Sequence, residues 1–315
     1  MLDSQPFINS TSILSYTMPV SNTLKAALLL LMAEFLLASM GAIIKILAID
    51  LPNEMIVFFR NLFGLVAILP LLISMGSELF KTNRFKLHLL RAAAGVSAMY
   101  CFFYSIGHIA FAEAMLVKLS APLFIPIIAY VWLKESISLW SKIAIALGFV
   151  GVAIILDPDA NKFTIIALIG LGGAALASVA KVTIRKMGTT EPSARIVFYF
   201  AFLSSLISAV PLFWAWVTPS WFELGMLCLM GSIGTVGQLM MTKAYTLAIP
   251  GRIAPFTYAS LVYASIYGWV FWDETLRWAT LAGSLLIFIA GLLTLKKSKK
   301  YDSKEASDKE STNAA

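Results

Sequence analysis

Long apolar segments alternate with short polar segments along almost the whole chain. Each apolar run has about 20 residues, the length that an α-helix needs to cross a lipid bilayer. Barrel strands would instead alternate apolar and polar residues over about ten positions. The pattern therefore predicts an all-α polytopic membrane protein with ten transmembrane helices. The ten runs cover residues 24–49, 54–74, 87–106, 109–132, 138–156, 163–186, 195–216, 221–247, 250–272 and 276–295.

The composition agrees with a chain that lies mostly in lipid. Of its 315 residues, 59% are hydrophobic and only 13% are charged, and the mean hydropathy is +0.84. Soluble domains have about 25% charged residues, so water-soluble enzymes and nucleic-acid-binding proteins are excluded. Outside the predicted helices there are short loops and two tails, residues 1–23 and 296–315, the second of which is predicted to be basic and disordered.

The basic residues are concentrated on one side of the predicted bundle, and the net charge is +7. Lys81, Arg84 and Lys86 lie between the second and third runs, and several lysines follow the tenth run. The other side is rich in Asp and Glu. Because short loops rich in Lys and Arg stay in the cytoplasm, we expect both termini there, in a cell inner membrane. The basic tail would then meet lipid head groups.

The two halves of the chain resemble each other. AYVWLKESISLW from residue 129 is similar to GWVFWDETLRW from residue 268, and an Ala-Ser pair at 38 recurs at 177, both at a spacing of 139 residues. We therefore predict two five-helix repeats, residues 24–156 and 163–295. An odd number of helices inverts the second repeat in the membrane, as in many secondary transporters.

Together with FFRN from Phe58, LSAPLFIPIIAYVWLKE from Leu119 and KAYTLAIPGRIAPFTYASLVYASIYGWVFWDE from Lys243, this pattern resembles the EamA-type transporters of the drug/metabolite transporter superfamily. The resemblance runs from about residue 25 to 295. It implies a small-metabolite carrier that needs no ATP, with a central cavity near helices 3, 4, 8 and 9. The Gly that usually precedes the Glu of helix 4 is Lys134 here, and its counterpart in helix 9 is Asp273.

Charged side chains within a membrane cost roughly 2.5 to 3.5 kcal/mol, so they normally face a partner or a wet cavity. Glu34 and Lys118 are both predicted near the midplane. Glu34 is a candidate proton or cationic-substrate site, with a structural ion pair or a protonated, hydrogen-bonded Glu as the alternatives. Lys118 would bind a substrate carboxylate or neutralise Glu34. Lys45, Lys181 and Lys243 fall near helix ends, where we expect their side chains to snorkel to the interface.

Further polar side chains are candidates for a role in transport. Arg60 is either a structural anchor or a ligand, and Glu113 is either a gating residue or a favourable charge at a helix N-terminus. Tyrosines can stack on a flat or cationic ligand while they offer a hydroxyl group. The complete set of these candidates is Arg60, Glu113, Tyr100, Tyr258, Tyr263 and Gln238. Pro122 and Pro255 interrupt helix hydrogen bonding and are predicted hinges.

The predicted function is a secondary transporter of small polar metabolites that works by alternating access, with proton coupling as one option. Its substrate could be amino-acid-like, nucleoside-like or flavin-like. The alternative is a polytopic membrane enzyme or assembly factor without transport activity. We expect no cofactor and no metal ion, because Cys101 and Cys228 fit a core and the chain has only two histidines. The sequence leaves the oligomeric state open, and a homodimer is one option.

Overall fold

The computed structural model describes residues 20–73, 80–134, 139–156, 161–187, 190–247, 254–275 and 281–290, and the single positions 137, 278 and 293. All regular structure in these residues is helical, which confirms the predicted all-α class. The predicted C-terminal tail and most of the N-terminal tail lie outside the described residues. The first helix begins at Val20, a few residues earlier than its apolar run.

The helices follow the predicted runs, with three of the runs divided. In chain order they are α1 (Val20–Leu47), α2 (Asn53–Ile73), α3 (Phe85–His108), α4 (Phe111–Leu119), α5 (Ala121–Leu133), α6 (Leu139–Leu156), α7 (Asn161–Met187), α8 (Ser193–Ala209), α9 (Leu212–Ala215), α10 (Trp221–Leu247), a 3-10 helix (Ala254–Tyr258), α11 (Ala259–Trp272) and α12 (Leu281–Ala290).

Six helical segments in the described part of the chain are long and apolar enough to cross a membrane. They are Leu24–Leu47, Asn53–Pro70, Phe85–His108, Phe111–Leu133, Ile165–Ile184 and Trp221–Met241. Three shorter apolar segments accompany them, namely Lys142–Ile154, Arg195–Ala209 and Leu281–Ala290. These segments indicate a multi-pass membrane protein, whereas the count of ten spans stays a prediction.

Two helices are interrupted at corresponding places in the two halves. Ser120 separates α4 from α5 with φ −74° and ψ −13°, and Tyr258 precedes α11 with φ −71° and ψ −10°. These two residues are 138 positions apart, one fewer than the repeat spacing. Pro122 lies in the first turn of α5, where its missing N–H costs little, and Pro255 lies in the 3-10 helix.

The ends of α5 and α11 also correspond. Lys134 follows α5 with φ 57°, and Asp273 follows α11 with φ 50°. They are the non-glycine residues with positive φ in the described part of the chain. A side chain in this left-handed conformation costs about 1 to 2 kcal/mol, which glycine avoids. This conformation explains why glycine is usual at the position that Lys134 occupies.

Helix packing pairs one half of the chain with the other. The most extensive contacts join α1 to α10 and α3 to α7, and further contacts join α2 to α10, α3 to α8, α1 to α11 and α5 to α7. Glycines permit the close approach, since Gly237 faces Leu37 between α1 and α10, and Gly173 faces Cys101 between α3 and α7. Each of these contacts has a counterpart between the equivalent helices of the other half, since α1–α10 corresponds to α7–α3. This correspondence fits an architecture of two repeats.

Candidate substrate site

Three charged side chains from different helices lie within electrostatic range of each other. Glu34 lies in the middle of α1 and is 6% exposed, Lys118 lies at the end of α4, and Lys181 lies in the last turns of α7. Electrostatic interactions act between Glu34 and each lysine, and between the two lysines. We call Glu34, Lys118 and Lys181 the central charge cluster. The structure thus places Lys118 within electrostatic range of Glu34, and it adds Lys181 to this pair.

The members of the central charge cluster do not touch each other directly. Within the described residues, no hydrogen bond or ion pair joins any two of them. The Lys118 ammonium lies 5.2 Å from the centroid of the Phe102 ring. Lys118 is partly exposed and Lys181 is exposed. Charged groups within a membrane protein need water or a polar partner.

Aromatic side chains of α1 and α11 pack against each other. The ring of Tyr263 packs edge-on against Phe35, with centroids 5.5 Å apart. The hydroxyl groups of Tyr267 and Ser39 share a hydrogen bond of 2.7 Å. Tyr263 therefore lies at the α1–α11 interface, beside the residue that follows Glu34 in the chain. Tyr267 was not among the predicted candidates.

Tyr258 faces the last helix of the second half. Its hydroxyl group donates a hydrogen bond of 3.3 Å to the carbonyl oxygen of Ile287, and its ring packs edge-on against Phe288 at 4.7 Å. It also packs with Leu116 in a small apolar cluster. The Tyr258 hydroxyl thus has a partner in α12, and within the described residues no hydrogen bond joins it to the central charge cluster.

Tyr100, Glu113 and Gln238 are spread over three helices. The Tyr100 carbonyl accepts a hydrogen bond of 2.9 Å from Asn53, the first residue of α2, so Tyr100 lies toward that end of the bundle. Within the described residues, the buried Tyr100 hydroxyl has no hydrogen-bond partner. Glu113 is buried in the first turn of α4, and Gln238 is exposed on α10. The structure does not gather these residues into one group.

Arg60 belongs to a polar cluster between α2 and α8. It is 7% exposed and donates from Nη1 to Oδ1 of Asn61 at 3.3 Å. The amide of Asn61 in turn donates to the hydroxyl of Ser208 at 3.3 Å. Arg60 makes no ion pair within the described part of the chain. Both roles considered from the sequence, anchor and ligand, agree with this geometry.

One end of the bundle is closed by an ion pair that the sequence did not predict. Lys45 Nζ lies 2.5 Å from Glu274 Oε1 and also donates to the Ile109 carbonyl at 2.9 Å. The other carboxylate oxygen of Glu274 accepts the Phe111 N–H at 2.7 Å, and the Lys45 ammonium lies 5.1 Å from the Trp272 ring centroid. The Lys45–Glu274 pair therefore ties α1 to the start of α4 and the end of α11.

A related contact lies at the opposite end. Lys186 of α7 lies 4.6 Å from the ring centroid of Trp132 in α5. Helices α7 and α5 are the repeat counterparts of α1 and α11, so each end of the bundle has a lysine over a tryptophan. Glu135, the counterpart of Glu274, lies outside the described residues. The similarity of the segments ending in Glu135 and Glu274 was the sequence signal for a role of Glu274.

Two copies of the model for the EamA-like transporter family match this chain, at residues 24–157 and 164–296. The chain belongs to the EamA-like transporter family. This finding confirms the resemblance to EamA-type carriers of the drug/metabolite transporter superfamily. It also explains why the helix ends and helix interruptions of the two halves correspond.

Named relatives of this EamA-family chain are transporters. It is 31% identical over 287 residues to the pseudopaline exporter of Pseudomonas aeruginosa (strain UCBPP-PA14), which covers 89% of this chain and 99% of the relative. It is 29% identical over 262 residues to the S-adenosylmethionine uptake transporter of Rickettsia bellii (strain RML369-C), covering 83% of this chain and 90% of the relative.

A crystal structure of a protein with 17% sequence identity shares the fold. Its TM-score is 0.60, and the match covers 88% of this chain and 98% of that chain. Together with the family match, the relatives identify the chain as a membrane transporter of the drug/metabolite type.

Proposed function

We propose that the chain is a secondary transporter of small metabolites that carry an amino-acid-like group. The central charge cluster supports this proposal, because it places two lysines within electrostatic range of one carboxylate. A substrate carboxylate would bind Lys118 and Lys181, and a substrate amine would bind Glu34. Charge-assisted hydrogen bonds of this kind are about twice as strong as neutral ones.

The named relatives agree with an amino-acid-like substrate. S-adenosylmethionine combines an amino-acid group with a nucleoside, and the relative named for it resembles this chain over most of its length. One relative is named as an exporter and the other as an uptake transporter, so their names do not determine a direction. The rings of Phe102, Tyr263 and Tyr267 give a nucleoside-like or flavin-like group surfaces on which to stack.

The proposed mechanism is alternating access between two inverted five-helix repeats, in a bundle of ten spans. Inverted repeats can exchange their conformations and so open a central site to either side in turn. With both termini in the cytoplasm of an inner-membrane protein, the Lys45–Glu274 pair closes the outer end. The contact between Lys186 and Trp132 lies at the cytoplasmic end. Pro122 and Pro255, beside the helix interruptions, are the proposed hinges.

Glu34 is the proposed site of proton coupling. Protonation of Glu34 removes the negative charge that interacts with Lys118 and Lys181. The stability of the substrate-free site therefore depends on whether Glu34 carries a proton. In this mechanism either a proton or a substrate amine neutralises Glu34. The two lysines then bind the substrate carboxylate in each state.

Flux measurements in proteoliposomes test this function. The probes are radiolabelled amino acids, S-adenosylmethionine, adenosine and riboflavin, of which the first two groups carry a carboxylate. Lys118→Met should reduce the flux of the carboxylate-bearing probes about tenfold or more, because one charge-assisted contact is lost. Glu34→Gln should flatten the dependence of flux on pH. Lys142→Met, a change of an exposed lysine at the start of α6, is the matched control.

Two outcomes would contradict the proposal. Parent-like flux of the carboxylate-bearing probes in Lys118→Met would remove the assigned role of the central charge cluster. Proteoliposomes that move none of the probes but modify their lipid would favour the alternative of a membrane enzyme.

A further inference from the structure

A cavity lies at the end of the bundle opposite the Lys45–Glu274 pair. It has a volume of about 600 Å³ and lies between the α2–α3 connection and the α7–α8 connection. Its wall is polar and includes Lys81, Thr82, Arg84, Thr190, Glu191 and Arg195. We call it the basic cavity. It is separate from the central charge cluster, which lies deeper between the helices.

The wall of the basic cavity is positively charged. Lys81, Arg84 and Arg195 contribute three positive charges, and Glu191 contributes one negative charge. The carboxylate of Glu191 accepts hydrogen bonds of 2.7 Å from Thr82 and 2.7 Å from Arg195. Burial alone would raise the pKa of Glu191, but these hydrogen bonds and the charge of Arg195 hold that pKa below its usual value. Glu191 is therefore ionised at neutral pH, and the described residues of the wall carry a net charge of about +2.

Two helices also begin at the basic cavity. α3 begins after Arg84, and α8 begins after Pro192. Neither residue makes a side-chain hydrogen bond to the first turn of its helix. The first N–H groups of a helix have no partner within the helix, and the helix dipole places partial positive charge there. Both helix starts therefore add hydrogen-bond donors and positive potential to the three basic side chains.

We propose that the basic cavity binds a phosphate group. Phosphate oxygens accept hydrogen bonds from guanidinium groups in a bidentate manner and from the N–H groups at helix starts. In the proposed orientation the cavity opens at the cytoplasmic surface of the membrane, where anionic phospholipids are enriched. The phosphate belongs either to such a lipid or to a soluble phosphate ester, and the chemistry of recognition is the same.

A bound phosphate would join the two halves of the chain. Lys81 and Arg84 come from the first half, and Thr190 and Arg195 come from the second half. A ligand that contacts both sets stabilises the arrangement in which the two connections lie close together. The occupied basic cavity would therefore favour one conformation of the transporter over the other.

Ligand-binding measurements on the purified full-length chain test the proposal. Native mass spectrometry would compare phosphatidylglycerol with phosphatidylcholine, and thermal unfolding at constant ionic strength would compare glycerol 3-phosphate with chloride. The test variant combines Lys81→Gln with Arg84→Gln, two exposed side chains of the cavity wall. The matched control combines Lys25→Gln with Lys142→Gln, exposed lysines outside the cavity wall that carry the same total charge.

The affinity for the preferred phosphate probe should fall about thirtyfold in the test variant, because each basic side chain contributes about fivefold near an anionic group. The control variant should lose much less. Binding of phosphatidylglycerol alone assigns the phosphate to a lipid, and stabilisation by glycerol 3-phosphate assigns it to a soluble ester. Equal losses in both variants, or a parent protein that prefers neither anionic probe, would overturn the proposal whatever the flux measurements show.

Discussion

Replacement of Lys45 by methionine should weaken the closure of one end of the helix bundle. In the closed arrangement Lys45 forms an ion pair of 2.5 Å with Glu274, and the two side chains are only 12% and 17% exposed. Lys45 also donates to the carbonyl of Ile109 at 2.9 Å. Charged hydrogen bonds with little exposure contribute about 1.5 to 3 kcal/mol, whereas exposed ion pairs contribute almost nothing.

The size of the effect follows from these contacts. Opening this end separates α1 from the start of α4 and from the end of α11, so both Lys45 contacts are lost in the open state. Both contacts therefore contribute to the free-energy difference between the closed and the open arrangement. A loss of about 2 to 3 kcal/mol changes the ratio of open to closed molecules about 30- to 150-fold. Lys45→Arg keeps the charge and should keep most of the closure.

Cysteine labelling measures the opening. Ser39 lies six residues before Lys45 on α1, about 9 Å toward the interior, and its hydroxyl bonds Tyr267. In a protein with Cys101→Ala, Cys228→Ala and Ser39→Cys, a membrane-impermeant maleimide added to intact cells should react at least about tenfold faster after Lys45→Met. Reaction from the outside also tests the proposed orientation.

The control and the refuting result concern the ion pair itself. Glu274→Gln should accelerate labelling as Lys45→Met does, and the two changes together should add little, because each removes the same interaction. If folded Lys45→Met and Glu274→Gln proteins are labelled as slowly as the parent, the pair is a structural contact and not part of a gate.

Three further predictions concern the helix ends and the connections. Glu191→Gln should lower the melting temperature at pH 7, because the carboxylate of Glu191 stabilises the fold only when it is ionised. The difference in melting temperature between parent and variant should vanish as the pH falls through the lowered pKa of Glu191. A difference that stays constant with pH would contradict this prediction. Lys134→Gly should raise the melting temperature by relieving a left-handed backbone worth about 1 kcal/mol, and a decrease would contradict that assignment. Pro122→Ala and Pro255→Ala should slow transport more than they reduce the amount of folded protein, and unchanged flux in both would exclude hinges.

The helices, and the position of each side chain along its helix, could be predicted from the sequence because both are local properties. The length of an apolar run determines whether it can span a bilayer, and a rise of about 1.5 Å per residue places each side chain along the helix. This reasoning predicted the all-α class and placed Glu34 and Lys118 at similar depths. The left-handed ends at Lys134 and Asp273 also correspond at the spacing found in the sequence.

Neighbours across helices depended on the tertiary structure. A helix turns by about 100° per residue, so depth alone does not determine which helix a side chain faces. Packing turned Tyr258 toward Ile287 of α12 and brought Lys181 into the electrostatic range of Glu34. Lys45 and Glu274 are 229 residues apart in the chain, and only the contact of α1 with α11 makes them partners. The sequence alone therefore determined the helices, and the packing of the two halves decided which charges meet.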